Sequence, residues 1–146
     1  MNKFSLMLFF LSLFNMGAKE LGAKEIINSA DEEILFSYDW RMNFELREGI
    51  YHPVLIRFST DKSLHFINLC NDISWRYKIS KNHAINVTSP QITLVGCQEE
   101  MKLIEEEIIK RTPGMKKYKI NKNGNEFNLT IFFKDGGEWG LKSQKK

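Results

Sequence analysis

Apolar and polar residues alternate one for one through most of this chain, and a period of two confines such segments to strands with one dry and one wet face. Trp75, Tyr77 and Ile79 point one way while Ser74, Arg76 and Lys78 point the other. Val54, Ile56 and Phe58 alternate with Arg57 and Ser59. Phe127, Leu129, Ile131 and Phe133 alternate with Asn128, Thr130 and Lys134, Phe132 being the one exception. Turn signals separate these runs at Thr60-Asp61-Lys62-Ser63, Lys81-Asn82, Asn123-Gly124-Asn125 and Asp135-Gly136-Gly137. The last of them predicts a hairpin between the strands at 128–134 and 139–142.

One segment departs from the alternation. Between Cys97 and Arg111, Cys97, Met101, Ile104 and Ile108 fall at i, i+4, i+7 and i+11, which is one face of a helix. Thr112-Pro113-Gly114 ends it. Glu106 and Lys110, like Glu107 and Arg111, stand at the favourable i, i+4 spacing. The carboxylates at Glu99-Glu100 and Glu105-Glu106-Glu107 are expected on its wet outer face, pairing with Lys and Arg. The predicted order is roughly six strands, one helix and three strands. The expected fold class is α+β, mostly β: an antiparallel sheet curled into a small barrel-like structure packed with one α-helix.

The first residues have another purpose. Met1-Asn2-Lys3 is a short positive region, and Phe4 to Phe14 is apolar but for Ser5 and Ser12. A run of about 11 residues is too short to span a bilayer and suits the core of a signal peptide. Small residues follow at Gly17-Ala18 and Gly22-Ala23, so residues 1–23 are read as a signal peptide cleaved after Ala18 or Ala23. Residues 24–33 are polar and are expected to form a flexible leader, with the domain covering 34–146. No cysteine sits just after the apolar run, so the expected location is periplasmic or secreted, without a lipid anchor and without an integral membrane segment once the signal is removed.

Export bears on the two cysteines. An oxidising compartment favours pairing of Cys70 with Cys97, which would tie a strand end to the start of the helix; two buried free thiols are the alternative. Their spacing is far from Cys-x-x-Cys, which argues against a redox-active pair.

Signals of chemistry are missing. His52, His65 and His83 stand on separate segments without Cys, Asp or Glu at ligand spacing, so no metal is expected. Ser59, Ser63, Ser74, Ser80 and Ser89 lie in no nucleophile-elbow context, and Gly136-Gly137 reads as a turn rather than a phosphate loop. Lys and Arg number 21 against 18 Asp and Glu, a net charge of +3, well short of the basic excess of a nucleic-acid binder. The expectation is a protein with no catalytic residues, no enzymatic activity, no cofactor and no nucleic-acid partner.

The order of features resembles the META domain, the HslJ-like family of exported proteins. Trp40 stands where the family places a Trp, and Pro53 precedes a strand ending in Phe58. Leu69-Cys70-Asn71 stands where the family has Gly-Cys-Asn, Leu69 being a departure. Thr93-Leu94-Val95-Gly96-Cys97 is similar to its Thr-x-x-x-Cys, with Met101 and Glu105 at family-like helix positions. Tyr118-Lys119-Ile120 and Phe127–Ile131 resemble its closing strands. The resemblance implies a barrel-like sheet with one helix, no catalysis, and a role as an envelope binding module in stress tolerance or secretion. The fold implied is also similar to that of type III secretion pilotins. That suggests an alternative: a pilotin-like or lipid/apolar-ligand carrier with a cavity between helix and sheet. Trp75, Tyr77, Met101, Ile104, Ile108, Phe127, Leu129 and Ile131 are the residues expected to line a cavity or binding surface, facing an unknown protein partner or apolar ligand. A secreted hydrolase, or an inhibitor of one using an exposed Trp75 or Trp139, is the third reading.

Overall fold

The computed structural model describes residues 29–146. The signal peptide read over 1–23, and residues 24–28 of the leader, lie outside the described residues. Residues 29–37 are helical (α1). They are followed by β1 (Tyr38–Arg47), β2 (Ile50–Phe58), β3 (Ser63–Ile67), β4 (Ile73–Ser80) and β5 (Ala84–Ile92). Helix α2 (Glu99–Arg111) comes next, then β6 (Met115–Asn123), β7 (Glu126–Phe133) and β8 (Glu138–Lys145).

Every strand pairs antiparallel with its sequence neighbour, and β8 returns to β1 through Tyr38↔Lys145 to Arg41↔Lys142, closing the barrel. Closure removes the free edges that aromatic-rich strands would otherwise expose. The turns fall where the punctuation predicted them. Gly124 and Gly136 adopt φ of +60° and +88°, a region that side chains with a Cβ rarely enter. The narrowest seam is β5–β6, joined by the single pair Ala84↔Lys117. Pro90 removes a donor from the far half of β5, and the chain leaves there to build α2.

The alternating residues face inward as their period requires. Val54, Ile56, Phe58, Trp75, Tyr77, Leu129, Ile131 and Phe133 are all buried. Phe132, the exception to the pattern, takes the outer face with the Lys117 ammonium 5.1 Å from its ring. Trp40 is fully buried.

Antiparallel connectivity puts alternate turns at opposite ends of the barrel, and a helix covers each end. Helix α2 meets the β1–β2 hairpin through an Arg47–Glu100 ion pair and the β3–β4 turn through Asn71. Its last residue, Arg111, stacks 4.7 Å over the Phe133 ring beside the β7–β8 turn. Helix α1 covers the other end. Leu35 is fully buried, and its carbonyl accepts the Trp40 indole N–H at 3.0 Å. Lys62, in the β2–β3 turn, lies 5.1 Å from the Phe36 ring. His83, in the β4–β5 turn, has Nε2 3.0 Å from Asp31 Oδ2, in ion-pair range though out of line for a hydrogen bond.

Three expectations are corrected here. Residues 29–33 are helical rather than part of a flexible leader, because α1 has an apolar side, centred on Leu35, that the barrel end buries. Five strands rather than six precede α2, since regular alternation starts at Tyr38. Helix α2 starts at Glu99 rather than Cys97, because Thr93 and Val95 are bonded to the β3–β4 turn and Gln98, just before the helix, has an extended backbone.

Candidate functional site

Three of the stretches that carry the family resemblance, Cys70-Asn71, Thr93–Cys97 and the helix at Glu105, converge at the α2 end of the barrel. Cys70 and Cys97 form a disulfide with Cα atoms 6.0 Å apart, so the expected pairing is present. Asn71, next to Cys70, is the hub of a buried polar node. Its backbone N–H donates to Glu105 Oε1 at 2.7 Å and its Nδ2 donates to Glu105 Oε2 at 2.8 Å. Its Oδ1 accepts the Val95 N–H at 2.7 Å and the Thr93 hydroxyl at 3.2 Å. The Thr93 hydroxyl in turn accepts the Asp72 N–H at 2.9 Å. One side chain thus organises the β3–β4 turn, the segment after β5, and helix α2.

Burial explains why the node must be complete. Asn71 and Glu105 are 8% and 5% exposed, and an unpaired carboxylate or amide at such depth would cost several kcal/mol, of order 2–5. Glu105 was expected among the solvated helical carboxylates; it is instead buried. It lies one position after Ile104 and three before Ile108, so it borders the apolar stripe, and Asn71 supplies the donors that make its burial tolerable. Glu107 behaves as expected, with a carboxylate oxygen 3.7 Å from Arg111 Nε.

The node's chemistry is structural. One donor atom from each of Cys70, Cys97 and Glu105 lies within 4.8 Å of the others, a grouping that could hold a metal ion. Both sulfurs are joined to each other, however, and the carboxylate is engaged by Asn71. A second grouping has the residue types of a hydrolytic triad in the wrong order. Ser63 Oγ sits between Asp61 Oδ1 at 2.5 Å and His65 Nε2 at 2.8 Å. Asp61 also accepts the Ser63 N–H at 2.9 Å, which is a turn motif, and these bonds hold its carboxyl below the usual carboxylate range. A nucleophilic Ser needs a His that is oriented by the acid. Here the hydroxyl separates acid from base.

On the outer face of β1 and β2, Arg57 grips Asp39 bidentately, Nε to Oδ1 at 2.8 Å and Nη2 to Oδ2 at 2.7 Å. The pair locks the β1–β2 register at Asp39↔Arg57 and raises the guanidinium pKa further. Sequence reasoning missed it; a charge pair across two adjacent strands, 18 positions apart in the chain, leaves no local signal.

The residues expected to line a cavity or binding surface belong to one hydrophobic core. Trp75, Tyr77, Ile104, Ile108, Leu129 and Ile131 are buried in the core, and Met101 and Phe127 pack against it. Two open grooves mark the surface. One, of about 540 Å³, runs over the outer face of β2–β4 between Arg57, His65, Asn68, Asn71 and Ser74. The other, of about 130 Å³, lies between α2 and the β1–β2 hairpin, and Ile104 is the single expected residue that borders it. Trp75 and Trp139 are buried rather than presented on a loop. The Trp75 indole N–H in the core and the Tyr118 hydroxyl at the α1 end are buried with no hydrogen-bond partner among the described residues. Burial raises the pKa of the Tyr118 phenol, and the nearby Glu32 and Asp31 carboxylates add to the shift.

Among solved structures, the chain is similar to an NMR structure of a protein from Burkholderia xenovorans, with a TM-score of 0.57 and 12% sequence identity. That alignment covers 80% of this chain and 87% of the other, and at such identity it speaks for the fold alone. No curated protein matches the chain. The family model described as the META domain matches residues 42–146, a span that holds β1 from Met42 onward, the Asn71–Glu105 node, the disulfide and both closing hairpins. The chain therefore belongs to the META domain family.

Proposed function

We propose that this META-domain protein is exported to the cell envelope or beyond, catalyses no reaction, and acts there as a binding module in stress tolerance or secretion. The observation that carries this reading is how the domain's motif residues are used. Asn71, Thr93, Cys97 and Glu105 bond to one another and to backbone, which supports a structural use of these groups. Export is supported by the positive and apolar leader at Lys3 and Phe4–Phe14, and by a cysteine pair that an oxidising compartment would close.

The test is intact-mass analysis of the protein from fractionated cells. Expected is a periplasmic or secreted species that begins at Lys19 or Lys24 and has one disulfide. A cytoplasmic species that starts at Met1 and has free thiols would overturn the reading. The carrier alternative would use the interior, where Trp40, Tyr118, Phe58 and Met115 are fully buried side chains. Native mass spectrometry showing a stoichiometric lipid or apolar ligand would decide in its favour.

A further inference from the structure

We propose that the α2 end of the barrel docks a basic amphipathic segment of a partner protein, seating one of its apolar side chains between α2 and the β1–β2 hairpin. This rests on the binding-module reading and names the surface that module uses. The exposed large hydrophobic residues of the described chain all lie at this end. Ile50 and Tyr51, just past the β1–β2 turn, are 52% and 58% exposed. Leu94 and Val95, in the segment leading to α2, are 95% and 62% exposed, and Leu103 on α2 is 58% exposed. The Arg47–Glu100 pair and the Asn71–Val95 bond bring these three segments to the same end. Single exposed apolar residues are ordinary on a monomer, but clustering at one end marks an interaction surface.

The groove within this surface is walled by Phe44, Leu46, Leu103 and Ile104 and measures about 130 Å³. That is close to the size of apolar cavities known to take one small hydrophobic group. Charge selects the occupant. Glu45, Glu100 and Glu107 border the same groove. Glu48, Glu99 and Glu106 stand nearby in sequence, against Arg47, Lys102, Lys110 and Arg111. Arg47 pairs with Glu100 and Arg111 with Glu107, which leaves Glu45, Glu48, Glu99 and Glu106 in excess over Lys102 and Lys110. The chain as a whole carries +3, so the rim of this groove is locally acidic on a basic protein. Anionic lipid headgroups are repelled by such a rim, whereas a helix with Leu on one face and Lys or Arg beside it matches both the groove and its border.

The probe is a fluorescent synthetic Leu/Lys amphipathic helix of about five turns, with a Leu/Glu helix of the same pattern as control. Binding to the purified mature protein is followed by anisotropy. The Leu/Lys helix is expected to bind and the Leu/Glu helix not to. Leu103→Asp is expected to weaken binding by about tenfold or more, from loss of an apolar contact, with the circular dichroism and melting of the protein unchanged. Because Leu103→Asp adds negative charge, attraction by charge alone would tighten binding; unchanged or tighter binding overturns the proposal. So does failure of the native protein to bind the Leu/Lys helix. Concentration-dependent self-association abolished by Leu103→Asp, with no peptide binding, would assign the surface to a second copy of this chain instead. None of these failures touches the location or processing that tests the broader reading.

Discussion

The Asn71–Glu105 contact makes a sharp prediction because one atom's change reverses its electrostatics. Asn71→Asp keeps the shape of the side chain but replaces the donor 2.8 Å from Glu105 Oε2 with a carboxylate oxygen. A hydrogen bond to a charged acceptor is worth about 1.5–3 kcal/mol, and its loss leaves two carboxylates facing each other at a site where both residues are less than a tenth exposed. The bonds from the Asn71 N–H to Glu105 and from the Val95 N–H to Oδ1 survive, which bounds the damage. The expected loss is about 3–5 kcal/mol at pH 7.5, a large share of a small domain's stability. The sign of the pH dependence follows. One member of the acid pair has its folded pKa raised above the unfolded value, so the penalty is full above that raised pKa and is relieved as pH falls through it. Urea unfolding with the disulfide intact, at pH 7.5 and 5, is the assay. Asn71→Asp should recover part of its loss at pH 5, and Glu105→Gln introduced alongside it should recover stability at pH 7.5 by restoring a donor–acceptor pair. A variant within about 1 kcal/mol of the parent at pH 7.5 would refute the reasoning, since the carboxylate would then have to be solvated or held elsewhere.

Further predictions concern the two ends of the barrel and its staple. Replacing both Cys70 and Cys97 with Ser opens a loop with a sequence separation of 27, and chain entropy puts the cost at about 3.5 kcal/mol; a shift in the urea midpoint worth under about 1 kcal/mol would show the staple to be idle. Tyr118→Phe removes a buried hydroxyl that has no hydrogen-bond partner among the described residues and should be neutral or stabilising by up to about 1 kcal/mol, whereas a clear destabilisation in a thermal melt would mean the hydroxyl is satisfied. Tyr77 and Tyr118 both have folded pKa values raised by burial. Their stabilising effect is whole below the unfolded value of about 10 and falls above it by about 1.4 kcal/mol per pH unit for each ring; the double Phe variant should unfold less steeply in alkaline titration. Leu35→Ala should cost about 2–5 kcal/mol and raise amide exchange in residues 29–37 before the strands, if α1 is the barrel's cover; exchange raised uniformly would count against that role.

Much of this architecture was legible before any coordinates. A period of two, as in Trp75-Arg76-Tyr77 or Leu129-Thr130-Ile131, assigns each side chain to one face of a sheet, and glycine or asparagine turns set where strands reverse. The lone stripe Met101, Ile104, Ile108 marked the helix for the same local reason. Residues far apart in the chain were beyond that reach. That β8 closes on β1, that α1 covers one end, and that Glu105 is buried under Asn71 are all settled by which segments meet. Glu105 shows the difference: on a helical wheel it borders the apolar stripe among four other carboxylates, and a donor 34 positions earlier keeps it inside. The acidic, apolar surface at the α2 end has the same origin, since the β1–β2 hairpin, the segment after β5 and α2 become one surface through tertiary contacts alone. Periodicity acts between near neighbours and can be read along a chain, whereas burial and charge complementarity act through space and exist once the barrel has closed.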